Sequence, residues 1–147
     1  MDGEQYHQHE VLHNHSHALR ISLYYDDVEV VNPLGSKKGI HKLGLFYYSI
    51  QNLPPCYSSS MSSIFLLAVC YSLDLKKYGF GPVLQPFLEE MKVLESENGA
   101  DILVDDTVLK VYGTLISFVG DSLAAHEILG FLSPSANLLC RLCKGNR

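Results

Sequence analysis

The chain of 147 residues has no tryptophan, few cysteines and few basic residues: eleven Lys and Arg against sixteen Asp and Glu, a formal net charge of −5. Cys56, Cys70, Cys140 and Cys143 are too few and too unevenly spaced for the disulfide framework of a small secreted domain, which indicates an intracellular protein. Strong autonomous binding to DNA or an anionic membrane needs many cationic side chains to neutralise phosphates. If DNA is a partner, we expect other segments to supply most of the basic surface.

Long hydrophobic runs are also missing. The N-terminus lacks the basic start and apolar stretch of a signal peptide, and the longest apolar run, residues 64–71, is far shorter than the roughly 20 residues of a membrane span. We therefore predict no membrane partner. A chain of this length has room for one domain with a hydrophobic core.

A polar leader occupies residues 1–19, and we predict that it is flexible. It carries five of the seven histidines: His7, His9, His13, His15 and His17. Imidazoles spaced by two residues can chelate a divalent metal, but a tract without carboxylate or cysteine partners is typically an adventitious chelator. Metal scavenging through this leader is the weakest of the functional hypotheses that the sequence leaves open.

Three segments rich in β-branched and aromatic residues predict strands at residues 21–28, 43–53 and 64–72. The first ends in Asp26 and Asp27 and is followed by a turn signal. The second is expected to run antiparallel to the first. The third has neither a helical nor an alternating period, so it fits a central strand buried on both faces or a buried helical turn, and we favour the strand.

The clearest helix follows the third strand. Apolar residues recur at spacings of three and four at Val83, Leu84, Phe87, Leu88, Met91 and Leu94. Residues 101–104 and 108–112 predict a hairpin around two aspartates, and residues 115–121 predict a last strand that ends in Asp121. The predicted fold class is α/β, with the order strand, strand, strand, helix, hairpin, strand.

Acids at the ends of neighbouring strands can hold divalent metal ions. Phosphoryl transfer by two metals needs hard oxygen ligands, and Asp26 or Asp27 together with Asp121 could supply them. The alternative is structural, because acids after strands often begin turns or cap helices, and Asp121 could be the N-cap of a short helix.

Four sequence words in a fixed order carry a resemblance: LYYDDVEVVNPLGSKKGIHKLGLFYYSIQNLPP, DLKKYGFGPVLQPFLEEMKVLE, YGTLISFVGDSLAAHEILGF and CRLCK. From about Arg20 to Lys144 the chain resembles the catalytic core of DDE-type DNA transposases and of transposon-derived proteins. The resemblance implies a partial RNase H-like fold over residues 20–132, in which the first strand lies beside the strand that follows the first helix.

In that family an acid on the first strand, an acid after the fourth and a third acid on a later helix hold Mg²⁺ or Mn²⁺. By position, the first falls on Asp26 or Asp27, with Asp26 favoured, and the second on Asp121. The similar sequences commonly have Gly-Asp-Asn where this chain has Gly120-Asp121-Ser122, which puts the local geometry in doubt but not the aspartate.

Residues 133–147 resemble the start of a zinc-binding insertion of the same family. Cys140 and Cys143 would supply half of a tetrahedral Zn²⁺ site, and His126 is a conceivable third ligand. Two ordinary thiols are an equally good interpretation. A thioredoxin-like redox pair is disfavoured, because no strand-to-helix active-site turn precedes the cysteines.

The third acid of the triad is not found among the candidates. Glu89, Glu90 and Glu95 are expected on the solvent face of the helix, and Glu127 is too close in sequence to Asp121. We expect the third acid and the second zinc pair beyond residue 147, and no catalysis by this chain alone.

Two functional hypotheses follow. In the first, the chain is part of a DDE transposase and binds DNA only in a longer form. The resemblance to that family favours a location in the nucleus over the cytoplasm. The other is a host-retained, non-enzymatic module that associates with itself or with a full-length relative through a sheet edge or an exposed apolar surface.

Overall fold

The computed structural model describes residues 9–30, 42–58, 60–121, 125 and 128. Within these residues the chain forms six strands, four α-helices and a short 3₁₀ turn, Met61–Ser63. The strands are β1 (Leu19–Glu29), β2 (Lys42–Ile50), β3 (Ile64–Tyr71), β4 (Ala100–Val104), β5 (Thr107–Val111) and β6 (Gly113–Val119). The helices are α1 (Glu10–Asn14), α2 (Pro55–Ser58), α3 (Ser72–Tyr78) and α4 (Gly81–Glu95). The predicted mixed α/β class is confirmed.

Four strands form a mixed sheet in the order β3-β2-β1-β6. Strands β1 and β2 run antiparallel, as predicted: the Gln51 amide donates to the Arg20 carbonyl at 2.7 Å, and further along β1 the Tyr24 ring stacks on Tyr47 at 5.1 Å. Between these two contacts the residue number rises along β1 while that of the partner residue on β2 falls, which is the pattern of antiparallel strands. The alternating β-branched and aromatic residues of both strands suit such a half-buried pair.

Strand β6 runs parallel to β1. The Leu19 amide donates to the Tyr112 carbonyl at 2.8 Å, and the hydroxyl oxygens of Ser22 and Ser117 lie 2.6 Å apart. Both residue numbers rise together, so the carboxyl ends of β1 and β6 lie at the same edge of the sheet. A parallel neighbour requires a long connection, and the chain between β2 and β6 includes helices α3 and α4.

The predicted hairpin is confirmed as a separate two-stranded sheet. Strands β4 and β5 pair antiparallel, with Ile102 opposite Leu109 and Leu103 opposite Val108. Between the strands lie Asp105 and Asp106, whose φ angles of 46° and 61° are in the left-handed region. A two-residue hairpin turn with both central residues at positive φ matches the twist of the flanking strands, and aspartate tolerates that conformation better than most residues.

The described residues divide into two compact units. One contains residues 9–22, 48–58, 60–65 and 84–117. Its core includes the predicted apolar stripe of α4, of which Leu84, Phe87 and Met91 are buried, and the Phe87 ring lies 6.1 Å from that of Tyr48. The predicted helix is therefore confirmed, and its apolar periodicity is explained by this packing.

The second unit contains residues 23–30, 42–47, 66–83 and 118–121, with residues 125 and 128. Its core is aromatic: the Tyr25 ring lies 4.8 Å from Phe46 and 5.3 Å from Phe80, and Phe46 is completely buried. Leu75 of α3 is buried in the same unit.

The leader contains ordered structure between residues 9 and 18. Helix α1 buries Leu12, and Ala18 is buried just before β1 begins. The His15 ring stacks on Tyr112 with centroids 3.5 Å apart. This part of the leader is thus packed through apolar and aromatic contacts, a feature that its polar composition does not indicate.

Two differences from the sequence-based expectations concern the third strand and the helix after it. Residues 64–71 do form a strand, but β3 lies at the end of the described sheet order with Leu66 65% exposed, so its expected burial on both faces is wrong. A continuous apolar run cannot by itself distinguish a central strand from an exposed one. Helix α3 was not predicted, because seven residues are too few to show a helical period.

None of the helices within the described residues is long and apolar enough to span a membrane.

Candidate functional site

The two acids of β1 point to opposite faces of the sheet. Asp26 and Asp27 are both exposed and both lie within β1, where successive side chains alternate between faces. Tyr25 packs against Phe46 and Phe80, so the face of Tyr25 and Asp27 is the one that carries the aromatic core. Asp26 lies on the other face, which it shares with Ser22 and Tyr24.

Asp27 is held by two hydroxyl groups. Its Oδ1 atom accepts hydrogen bonds from Tyr25 Oη and from Ser72 Oγ, both at 2.7 Å. Ser72 is the first residue of α3 and is only 4% exposed. Bonds from neutral donors to a carboxylate are stronger than bonds between neutral groups, so Asp27 ties the end of β1 to the start of α3.

Burial raises the pKa of Tyr25 strongly, and the hydrogen bond to Asp27 and the negative charge of that residue raise it further. Burial likewise raises the pKa of the Cys70 thiol, to which the charges of Asp74 and Asp27 add. Both groups are therefore held in their protonated, neutral forms. A thiol with a raised pKa is a poor nucleophile, which argues against a reactive role for Cys70.

Glycine at position 44 makes room for the Tyr25 ring. A Cβ atom at Gly44 would lie 2.7 Å from Leu75 Cδ1 and 2.9 Å from Tyr25 Cε2. These distances are far inside van der Waals contact, and both neighbours are buried. The absence of a side chain at Gly44 thus allows Tyr25 to reach Asp27.

Asp26, near the carboxyl end of β1, and Asp121, just after the carboxyl end of β6, belong to the same edge of the sheet. Ser22 and Ser117 touch through their hydroxyl groups across β1 and β6. Asp26 and Asp121 are each four residues further along from this contact, Asp121 being two residues beyond the end of β6. The Leu19 amide bond to the Tyr112 carbonyl sets Leu19 opposite Gly113, an offset one residue smaller, which would bring Asp27 instead of Asp26 to the face of Asp121. The two contacts give different registers, so strand alternation alone does not assign Asp26 to that face.

The main-chain carbonyl of Asp121 accepts a hydrogen bond with the four-residue spacing found in α-helices. The Ala125 amide donates to the Asp121 carbonyl at 2.9 Å, and Ala125 is buried. The structural alternative for Asp121, a residue at the start of a short helix, is therefore compatible with the backbone. It does not exclude a ligand role, because the bond uses the main-chain carbonyl and leaves the carboxylate exposed.

The other predicted ligands fall mainly outside the described residues. The zinc candidates Cys140, Cys143 and His126 all do, so the predicted half zinc site stays a prediction; Ser122 and Glu127 also lie outside the described residues. Within the part of the chain that the structure describes, no three His, Cys, Asp or Glu side chains are grouped as a metal site.

Glu95 is exposed, as expected, but its carboxylate also binds a buried hydroxyl group. Its Oε1 atom accepts a hydrogen bond from Thr114 Oγ1 at 2.5 Å, and Thr114 is completely buried. The same hydroxyl oxygen lies 3.2 Å from His9 Nε2. Thr114 therefore connects the end of α4 with the residue that precedes α1. Glu89 and Glu90 are exposed, as expected.

Tyr25, Ser72 and Gly44 were missed by the sequence reasoning. Their roles depend on contacts between residues up to 45 positions apart, as for Ser72 and Asp27, and no local pattern marks them. A serine directly after an apolar strand is a helix-start signal that could have identified the beginning of α3.

Comparison with known proteins gives no assignment: no protein-family model matches the chain, and no curated protein is significantly similar to it.

Proposed function

We propose that this chain is part of the RNase H-like catalytic core of a transposon-derived, DDE-type protein, in which Asp26 and Asp121 are ligands of Mg²⁺ or Mn²⁺. The observation that carries the proposal is the parallel pairing of β1 with β6, because it brings the carboxyl ends of both strands, where Asp26 and Asp121 lie, to the same edge of the sheet. Strand β3 runs antiparallel to β2, since Tyr48 contacts Phe65 and Gly44 contacts Cys70. Three strands in antiparallel succession, with β6 parallel to β1 and beside it, are compatible with that fold.

Asp26 and Asp121 suit such ions chemically. Both are exposed carboxylates, and hard divalent cations prefer oxygen ligands. A bound pair of these ions would activate the attacking oxygen and stabilise the leaving one in DNA strand cleavage and transfer. Asp27 is assigned a structural role instead, because its Oδ1 atom is engaged by Tyr25 and Ser72.

Two carboxylates make a weak and incomplete site. We therefore propose that cleavage and joining of DNA belong to a longer polypeptide that adds the third acid and basic surface, and that the isolated chain binds metal without catalysis. A nuclear location follows from this function.

The test is a calorimetric titration of the chain with Mn²⁺. Asp26→Ala and Asp121→Ala should each abolish the binding heat, because each removes one of two ligands. Asp27→Ala is the matched control, an adjacent acid on the opposite face, and should retain binding wherever the variant is folded. Binding that is absent from the wild type, or that survives both ligand changes, contradicts the proposal.

A second candidate function is a non-enzymatic module that associates with itself. The observation that favours it is the exposure of large apolar side chains on β3, including Ile64, Leu66, Val69 and Tyr71. Ile64 and Leu66 lie on one face of the strand and Val69 and Tyr71 on the other, and exposed apolar patches commonly mark protein interfaces. Sedimentation of the chain over a range of concentrations tests this function, which predicts a reversible increase in mass.

A further inference from the structure

Strand β3 is an edge strand within the described residues. It pairs with β2 on one side, where the Tyr48 ring stacks on Phe65 at 5.1 Å and the Cys70 thiol donates to the Gly44 carbonyl at 3.8 Å. It stands last in the sheet order, so no described strand pairs with its other side. The N–H and C=O groups on such a side can pair with a further strand.

The strand lacks the devices by which proteins protect a sheet edge. Its eight residues, IFLLAVCY, include no charged residue, no proline and no glycine. Edge strands of monomeric proteins usually carry a lysine, a proline or a bulge that prevents pairing. Five of its large side chains are also exposed: Ile64 (51%), Phe65 (37%), Leu66 (65%), Val69 (48%) and Tyr71 (56%).

We propose that β3 pairs with β3 of a second copy of this chain, antiparallel about a two-fold axis, so that two four-stranded sheets become one continuous sheet. This inference deepens the second candidate function, on which it rests. A two-fold interface needs a surface that is complementary to itself. An uncharged strand satisfies that condition, because no register of the pair brings like charges together.

The exposed area of β3 reaches at most the lower limit of a specific dimer interface. Aromatic side chains bury about 150–250 Å² each and aliphatic ones less, so the five residues of β3 offer at most roughly 500 Å² per copy, or about 1,000 Å² for the pair. That value is at the lower end of specific protein interfaces, and the hydrogen bonds between the two strands add to it. A reversible dimer of moderate affinity is therefore expected.

The β4–β5 hairpin is the competing apolar surface, with Leu103 67% and Val108 62% exposed. It differs from β3 because it carries charges on its strands: Lys110 and Asp101 form an exposed ion pair with a distance of 3.0 Å between Nζ and Oδ1. Charged residues are a common protection of strands against pairing. The hairpin therefore provides a matched control for the experiment.

The experiment is sedimentation equilibrium on the full chain, with Leu66→Lys and Val69→Lys as test variants and Leu103→Lys as the control. All three changes put a lysine in place of an exposed apolar residue on a strand, so the folds should survive, and circular dichroism verifies this. The wild type and Leu103→Lys should dimerise alike. Leu66→Lys and Val69→Lys should weaken the dimer at least about tenfold, because each places two lysines near the two-fold axis.

The outcomes distinguish a failure of the β3 pairing from a failure of self-association as a whole. A dimer that dissociates with Leu103→Lys but not with the β3 variants contradicts the role of β3 and leaves self-association standing. A wild type that stays monomeric at every concentration contradicts both. Open-ended aggregation suppressed by the β3 variants also contradicts the proposal, since a two-fold pair closes after two copies.

Discussion

The hydroxyl oxygens of Ser22 and Ser117 lie 2.6 Å apart across the parallel strands β1 and β6, and Ser22 is almost completely buried. The backbone bond from Leu19 to Tyr112 implies a register one residue different from that of this contact. Because side chains alternate along a strand, a shift of one residue would replace Asp26 by Asp27 on the face of Asp121. Which of Asp26 and Asp27 shares a face with Asp121 thus depends on the register of β1 and β6 at this end of the sheet.

Removal of the hydroxyl group of Ser72 should destabilise the protein. Ser72→Ala removes a buried donor to the Asp27 carboxylate, and we expect a loss of about 1–3 kcal/mol in the free energy of unfolding. Urea denaturation measures this, with Ser62→Ala as the control because the Ser62 hydroxyl bonds only at the surface. Equal stability of the two variants would show that the Asp27 contact contributes nothing.

The protein should lose stability in alkali through Tyr25. Its pKa in the folded state is raised above the ordinary value of 10.0, so above pH 10 the unfolded chain releases this proton while the folded chain keeps it. Stability therefore falls as the pH rises, by up to roughly 1.4 kcal/mol per pH unit for one proton. Unfolding curves between pH 8 and about 11 measure the slope.

Tyr25→Phe is the variant that identifies the group. It removes the ionisable hydroxyl while retaining the ring between Phe46 and Phe80. The variant should be less stable near neutral pH, because a hydrogen bond to Asp27 is lost, and should show a shallower alkaline slope. An unchanged slope would assign the alkaline loss to other groups, such as the Cys70 thiol, whose pKa is also raised.

Gly44→Ala should be clearly destabilising and Gly81→Ala should not. The new methyl group at position 44 overlaps Leu75 and Tyr25, both buried, and overpacking of this kind costs about 1–3 kcal/mol. At Gly81, in the first turn of α4, a Cβ atom meets nothing within 4 Å, and alanine favours the helix by about 0.5–1 kcal/mol. Thermal unfolding of the two variants compares them directly, and similar Tm values would contradict the packing argument.

Thr114→Val should loosen helix α1 within the first unit. The substitution keeps the shape but removes the hydroxyl group between Glu95 and His9, leaving both without this partner. We expect a loss of about 1–3 kcal/mol and faster amide hydrogen exchange in residues 10–14. Thr114→Ser retains the hydroxyl and is the control. Unchanged exchange in α1 would show that the leader is held by Leu12 and the His15–Tyr112 stack instead.

Much of the secondary structure could be predicted because its signals are local. The apolar period of α4 lies within fifteen residues, and the hairpin is marked by two short apolar runs around Asp105 and Asp106. Strands β1 and β2 follow from their β-branched and aromatic content. Helix α3 and the packed part of the leader escaped prediction, since both are too short for a periodic signal.

The sequence by itself therefore determined most of the strands, the long helix, the mixed α/β class and the short set of acids from which a metal site could be built. Only the tertiary structure decided that β1 and β6 are parallel neighbours, that Asp27 binds Ser72, that Glu95 binds Thr114 and that β3 stands at an edge of the described sheet. The physical reason is the same in each case. Strand order, register and buried hydrogen bonds join residues far apart in the chain, and no local pattern encodes which partner each will meet.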